Sequence, residues 1–381
     1  MDGGMDAEPC RGRWSRARKT EGEANGGCEG PGGRRGRWTK EDRATAAKEV
    51  SEEFQPLALE GAARPGVGGT IRLRRGAPMP QLGLGSGGLE GREGREAIAA
   101  ALRAGYRLID TALYYRTEKE IAAGIRMAGL SRSDVFISTK VLQKAHASDA
   151  QVRESLRESL KNLGTSYVDL YLIHNPRAGR IKEVWALLLK LREEGLARTV
   201  GVSNFGIAQL EGIREAGLEL PEVNQIEVHC WRQLPEVTAY HQKHGIATMA
   251  MAPLARGRMF GRSGLAKMAE EMGRTEAELA IRWLLQKGFV PIPKSINPHR
   301  ILLNMADGFD LTQRQLDQIT KLDTGFLSCT MASPCHELAW ELVADSIPHP
   351  DTWGGSRNAK GSPKGKGKGH WTWIPDLGVA G

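Results

Sequence analysis

The sequence predicts an α/β protein: a (β/α)8 TIM barrel with an N-terminal β-hairpin and disordered N- and C-terminal extensions. Two observations carry that expectation. Eight short apolar runs lie between residues 81 and 293, separated by amphipathic stretches. The alternation fills about 250 residues, the size of one such barrel. In addition, four chemically active side chains, Asp110, Tyr115, Lys140 and His174, stand at the ends of these runs or just past them. In a parallel barrel those ends share the face where active sites form.

Residues 1–68 come first. They are rich in Gly, Arg and Glu, lack apolar periodicity, and hold twelve basic and twelve acidic side chains. Such a stretch cannot bury enough surface to offset its ordering entropy, so a disordered extension is expected, with a short helix near 40–54 as an option. Residues 70–73 and 78–81 flank Arg-Arg-Gly-Ala and read as a hairpin. The eight runs are 81–85, 106–110, 135–140, 168–174, 198–203, 223–227, 247–251 and 289–293. Leu-Gly-Leu-Gly-Ser-Gly-Gly at 82–88 reads as a tight turn that lets a ligand approach the backbone. Residues 151–163 carry Val152, Leu156, Leu160 and Leu163 at helical spacing, and 181–191 and 276–285 behave likewise. The barrel is expected over 69–325, a C-terminal segment near its mouth over 326–345, and a flexible Gly/Lys-rich tail over 346–381. A doubly wound open sheet is the alternative, but it usually shows a glycine fingerprint opening a helix after the first strand.

Composition narrows the function classes. No apolar run approaches the ~18–20 residues of a membrane span. The N-terminus opens with acidic and glycine residues and lacks the apolar stretch of a secretory signal. Cys10, Cys28, Cys230, Cys329 and Cys335 are odd in number and scattered, which suits a reducing compartment. A cytoplasmic location is therefore expected, with organelle targeting by the N-terminal extension left open. No metal centre is expected, since no second ligand pair matches Cys329 and Cys335. Of the net charge of +8, the last 37 residues hold five basic and three acidic groups, which leaves +6 in the middle. That balance weakly favours an anionic ligand. Five basic residues in the tail are too few to point to nucleic acid.

A phenol, an ammonium, a carboxylate and an imidazole gathered on one face make a proton donor with a tuned pKa. Spacing from Asp110 chooses Tyr115 over its neighbour Tyr114.

Five segments then resemble the aldo-keto reductase family, in that family's order over roughly residues 70–325. They are Ile71-Arg-Leu-Arg-Arg-Gly-Ala-Pro-Met-Pro-Gln-Leu-Gly-Leu-Gly, Gly105-Tyr-Arg-Leu-Ile-Asp-Thr-Ala, Leu163-Gly-Thr-Ser-Tyr-Val-Asp-Leu-Tyr-Leu-Ile-His, Arg198-Thr-Val-Gly-Val-Ser-Asn-Phe, and Ile292-Pro-Lys-Ser with Arg300 and Asn304 following. The resemblance implies NADPH-dependent reduction of aldehydes or ketones, with NADPH/NADP+ as cofactor and a small carbonyl compound as partner of a monomer. It implies that Tyr115 is the general acid, that Lys140 lowers its pKa, that Asp110 holds Lys140 charged, and that His174 positions the carbonyl oxygen. A free phenol titrates at about 10, too high for easy transfer at neutral pH.

The resemblance also implies the cofactor contacts. Gly85 and Ser86 lie on the glycine turn. Ser203, Asn204 and Gln225 would hold the nicotinamide carboxamide, and buried amides do need partners. Met251 stands where an aromatic stacks on the nicotinamide, and Leu254 follows it. Lys294, Ser295 and Arg300 resemble the set that grips the 2′-phosphate, since Arg can meet phosphate with two parallel hydrogen bonds. Asn304 would contact the adenine, while Leu303 stands where Glu is common, which implies faster cofactor release. Gly87 and Asn175 replace two aromatic walls of the substrate pocket. The alternative function is a cofactor-binding regulatory subunit or scaffold with little turnover; the four intact active groups speak against it.

Overall fold

The computed structural model describes residues 69–329. The expectations for 1–68, for the tail, for most of 326–345 and for Cys10, Cys28 and Cys335 lie outside these residues.

The hairpin forms first. Strands β1 (Thr70–Arg72) and β2 (Pro78–Pro80) pair antiparallel, with Ile71 opposite Met79. Gly76 closes the turn at φ +88°, a region that L side chains rarely adopt.

Eight parallel strands follow: β3 (Gly83–Gly85), β4 (Leu108–Asp110), β5 (Phe136–Val141), β6 (Val168–Ile173), β7 (Ala197–Ser203), β8 (Val223–Glu227), β9 (Ala247–Met251) and β10 (Val290–Pro291). Each pairs with its sequence neighbour. The Gly85 N–H donates to the Pro293 carbonyl at 3.0 Å, which draws the first and last strands together into a nearly closed TIM barrel. The expected run 289–293 pairs only at Val290 and Pro291. Prolines at 291 and 293 have no N–H to give a ladder, so the strand stops early.

Ten helices connect and flank the strands among the described residues: α1 (Gly91–Arg103), α2 (Glu118–Met127), α3 (Asp149–Leu163), α4 (Ile181–Glu193), α5 (Ile207–Glu215), α6 (Pro235–Lys243), α7 (Gly264–Glu271), α8 (Glu276–Gln286), α9 (Pro298–Leu303) and α10 (Gln313–Thr320). Helix α3 shows why such stretches fold so. The Ser148 hydroxyl accepts from the Gln151 N–H at its start, and Gly164 ends it at φ +63°. Its apolar row Val152, Leu156, Leu160 and Leu163 is buried against the strands. None of the described helices is long and apolar enough to cross a membrane.

Strand side chains alternate between two cores. In β6, Leu170 and Leu172 point into the barrel, while Tyr171 and Ile173 pack under the helices. The hairpin residues Ile71, Leu73 and Met79 join the interior set with Leu108, Val223, Met249 and Val290. The hairpin thus plugs the N-terminal end, and the loops that follow each strand gather at the other.

Candidate active site

Asp110 is the last residue of β4, and Tyr115 ends the short 3-10 turn Leu113–Tyr115 just beyond it. Lys140 lies one residue before the end of β5, and His174 one residue past β6. The barrel brings all four together. The Lys140 ammonium, wholly buried, donates to Asp110 Oδ2 at 2.7 Å, to Asp110 Oδ1 at 2.9 Å and to the Thr111 carbonyl at 2.8 Å. It sits 5.1 Å from the centre of the Tyr115 ring. The Tyr115 hydroxyl is 3.4 Å from His174 Nε2. Asp110 Oδ1 also accepts from the Ser138 hydroxyl at 3.0 Å and from the Gln225 amide at 2.8 Å.

The electrostatics differ from expectation at one point. Burial alone would push the Lys140 ammonium down, but Asp110 and Tyr115 together more than offset it and hold the lysine above its usual value. For Tyr115, burial raises the phenol pKa, and this outweighs the lowering by Lys140. The expected net lowering therefore does not appear. Burial is the main reason, and Asp110 adds to it by opposing the field that Lys140 exerts on the phenol. Burial and the nearby Lys140 charge push the His174 imidazole down to about 3. At neutral pH the site thus presents a protonated phenol and a neutral imidazole.

The residues expected around a cofactor separate into those that face outward and those used within the fold. Asn204 adopts a left-handed backbone (φ +64°), and its side-chain N–H donates to the His174 carbonyl at 3.1 Å. Its Oδ1 is buried with no hydrogen-bond partner among the described residues, an acceptor that a carboxamide N–H would satisfy. Ser203 donates to the Gln225 carbonyl at 2.9 Å. Gln225 turns its amide to Asp110, and Ser86 turns its hydroxyl to Thr117 at 3.0 Å, so neither side chain is spare as it stands.

The glycine turn links the phenol to Lys294. A Cβ on Gly85 would meet the Ile292 carbonyl at 3.0 Å, one on Gly87 the Tyr115 ring at 3.8 Å, and one on Gly88 the Lys294 ammonium at 3.9 Å. The turn therefore runs from the phenol to Lys294 with bare backbone. Lys294 and Arg300 are exposed, Ser295 and Asn304 are buried, and all four lie on β10's outgoing loop and α9. Asn297 caps α9 by accepting from the Arg300 N–H. Met251 ends β9 partly buried, and Leu254 packs against the core beneath it.

Two pocket positions diverge. A Cβ on Gly87 would stand 3.8 Å from the Tyr115 ring, so the glycine lies beside the phenol. Asn175 is buried, and its side-chain oxygen accepts from the Arg177 N–H at 2.9 Å, capping the turn Pro176–Ala178. Sequence reasoning set Tyr114 aside only as a rival acid. It is 60% exposed, with its ring 6.5 Å from His174 and 6.4 Å from Tyr115. It gives the mouth an aromatic wall, and its adjacency to Tyr115 was the available signal. Among the described residues, no three His, Cys, Asp or Glu side chains converge as a metal site.

Comparison with known proteins bears on the same residues. A profile described as the aldo/keto reductase family matches residues 79–324. The glyoxal reductase of Bacillus subtilis is 38% identical over 257 residues, which cover 67% of this chain and 92% of the relative. The 2,5-diketo-D-gluconic acid reductase B of Corynebacterium sp. is 38% identical over 263 residues, covering 68% of this chain and 94% of the relative. The crystal structure of an aldo-keto reductase from Bombyx mori in complex with NADP aligns with a TM-score of 0.64 at 31% identity, covering 72% of this chain and 100% of that one.

Proposed function

The chain belongs to the aldo/keto reductase family, and from that premise we propose that it uses NADPH to reduce aldehydes or ketones to alcohols, with Tyr115 as the general acid. One observation carries the reading: a protonated phenol lies beside a neutral imidazole and over a buried lysine–aspartate pair at the barrel mouth. His174, neutral at its depressed pKa, orients the carbonyl oxygen. When bound, NADPH supplies the hydride that reaches the carbonyl carbon as the C=O π bond breaks. Tyr115 gives its proton to the oxygen, which completes the alcohol. The Lys140 ammonium then faces the phenolate that remains, and Asp110 keeps that ammonium in place. General acid catalysis of this kind contributes ~10²–10⁴-fold.

The orphaned Asn204 oxygen, with Ser203 beside it, supports a carboxamide site for the nicotinamide. Lys294, Ser295 and Arg300 are proposed to hold the 2′-phosphate, which favours NADPH over NADH. Because the relatives named above are reductases of glyoxal and of a diketo sugar acid, small polar carbonyl compounds are the proposed substrates. The +6 balance of the middle region and the bare wall at Gly87 agree with that choice.

The test is NADPH oxidation by the full-length protein across glyoxal, methylglyoxal, 2-keto acids and aromatic aldehydes, with the alcohol product identified. Turnover of the small dicarbonyls, with NADPH preferred to NADH, is expected. NADPH binding without turnover of any carbonyl compound would overturn the reading in favour of a cofactor-binding scaffold.

A further inference from the structure

We propose that Glu227 is a positioning residue for the substrate pocket. Its carboxylate clasps the backbone at Ser328 and Cys329 and so sets where the C-terminal segment meets a substrate. The inference rests on the carbonyl-reductase reading above.

Glu227 is the last residue of β8 and is wholly buried. Its Oε1 accepts from the Ser328 N–H at 2.6 Å and its Oε2 from the Cys329 N–H at 3.0 Å. His229 Nε2, also wholly buried, completes the set at 3.1 Å from Oε1. A buried charge is costly unless it is paired and hydrogen-bonded, and here two of its three donors come from a segment a hundred residues away. Burial alone would raise the Glu227 pKa, but the His229 and Ser328 hydrogen bonds outweigh it, so the carboxylate stays charged. The clasp therefore holds across the neutral range.

The rest of the segment shows what the clasp adds. The Thr324 and Phe326 N–H groups both donate to the Trp231 carbonyl, at 3.2 and 2.9 Å, and Arg232 donates to the Gly325 carbonyl at 3.2 Å. These bonds lay the segment along the loop that follows β8. Glu227 is the barrel strand residue that turns its end toward the mouth. Ser328 is buried, and its backbone N–H makes the 2.6 Å contact with the carboxylate. Beyond it, the Cys329 sulfur accepts from the Arg256 guanidinium at 3.3 Å. The clasped residues thus meet the barrel at the C-terminal end of β8, the end at which the proposed reacting groups also stand. A glutamine at 227 would turn an amide N–H toward one of two backbone N–H groups, donor against donor.

The experiment compares Glu227→Gln and Ser328→Pro with the unsubstituted protein. The proline removes the 2.6 Å donor without touching a barrel strand. Each variant is assayed with glyoxal and with 4-nitrobenzaldehyde, and amide exchange is followed at 328 and 329 in the unsubstituted protein and Glu227→Gln, and at 329 in Ser328→Pro. A hydrogen bond to a charged group contributes ~1.5–3 kcal/mol, so KM for the aromatic aldehyde should rise roughly ten- to a hundredfold. The kcat for glyoxal should stay within about threefold, the remaining amides at 328 and 329 should exchange faster, and NADPH affinity should hold. Equal losses for both substrates with a lowered Tm would overturn the inference, as would an unchanged KM ratio. If Glu227→Gln does not fold, Ser328→Pro alone decides. If the unsubstituted protein reduces no carbonyl compound, the functional reading fails on its own; slow exchange at both amides then still supports the clasp, and fast exchange overturns it.

Discussion

At the N-terminal end of the barrel, Asp169 meets Arg132 at 2.6 Å and Arg198 at 3.2 Å, and both guanidiniums stack on the Tyr167 ring, 4.3 and 4.0 Å from its centre. Nearby, Glu219 meets Arg74, Arg75 and Arg192, and each of these arginines reaches solvent. At the C-terminal end, Asp110 meets a single lysine that has no exposed surface, beside a phenol and an imidazole. Water screens the first kind of pair where the arginine is exposed, as at Arg74, Arg75 and Arg198, so those contacts add little and can be replaced. Nothing screens the second, so each partner depends on the other and both tune their neighbours. The plugged end is built to tolerate change, and the open end is built for chemistry.

That contrast is easiest to break at Lys140. Lys140→Met leaves the Asp110 carboxylate buried without its ion-pair partner, which costs about 3–5 kcal/mol of stability, and catalysis should fall by ~10²–10⁴-fold. Urea unfolding and NADPH oxidation check both. Unchanged stability would mean that Ser138 and Gln225 suffice for Asp110, and the two ends would then differ less than their geometry suggests.

Arg300 sharpens the comparison, because it is exposed yet lies on the proposed cofactor side. Arg300→Ala should weaken NADPH binding roughly ten- to a hundredfold, as for a charge-assisted contact of ~1.5–3 kcal/mol, with NADH hardly affected and Tm unmoved. Fluorescence quenching titrations with both cofactors measure this. An equal loss for both would make Arg300 a structural residue. At the plugged end, Glu219→Gln should cost at most ~1 kcal/mol and leave kcat/KM unchanged.

The smallest expected effect is on the alkaline side of the pH profile. Burial holds the Tyr115 phenol above its usual value of about 10, so the acid stays protonated. The reduction rate should be flat from about pH 7 to 9 and fall only above that window. On the acid side stability, rather than chemistry, should give way. His174 and His241 are both pushed down to about 3 by burial and stay neutral in the folded chain. The unfolded chain takes up those protons below about 6.5, so stability should fall as pH drops from there toward 3. Chemical denaturation at a series of pH values follows it.

Much of this arrangement is legible in the residues themselves. Strands β8 and β9 begin and end where their apolar runs do, and Asp110 closes its strand as its run closes. Local composition dictates those boundaries. What composition cannot show is where a polar side chain spends its hydrogen bonds. Gln225 reads as a ligand contact, yet its amide reaches Asp110, 115 residues away in the chain. Ser86 and Asn175 likewise find partners in turns of the fold. Glu227 looks like any polar residue at a strand end until the segment at 328–329 folds back onto it. The direction of the Tyr115 shift was hidden for the same reason, since it depends first on how deeply the fold buries the phenol and then on how far Asp110 opposes the lysine charge.

The central claim is that Tyr115 carries the proton at the open end. Its most direct test is a single turnover, in which the protein–NADPH complex is mixed with glyoxal and NADPH oxidation is followed for the unsubstituted protein and for Tyr115→Phe. The substitution removes one hydroxyl and leaves the Lys140–Asp110 pair in place. The account predicts a rate lower by ~10²–10⁴-fold, with NADPH affinity within about twofold. A Tyr115→Phe rate within about tenfold of the unsubstituted protein would contradict it and move the proton to another group, Tyr114 first.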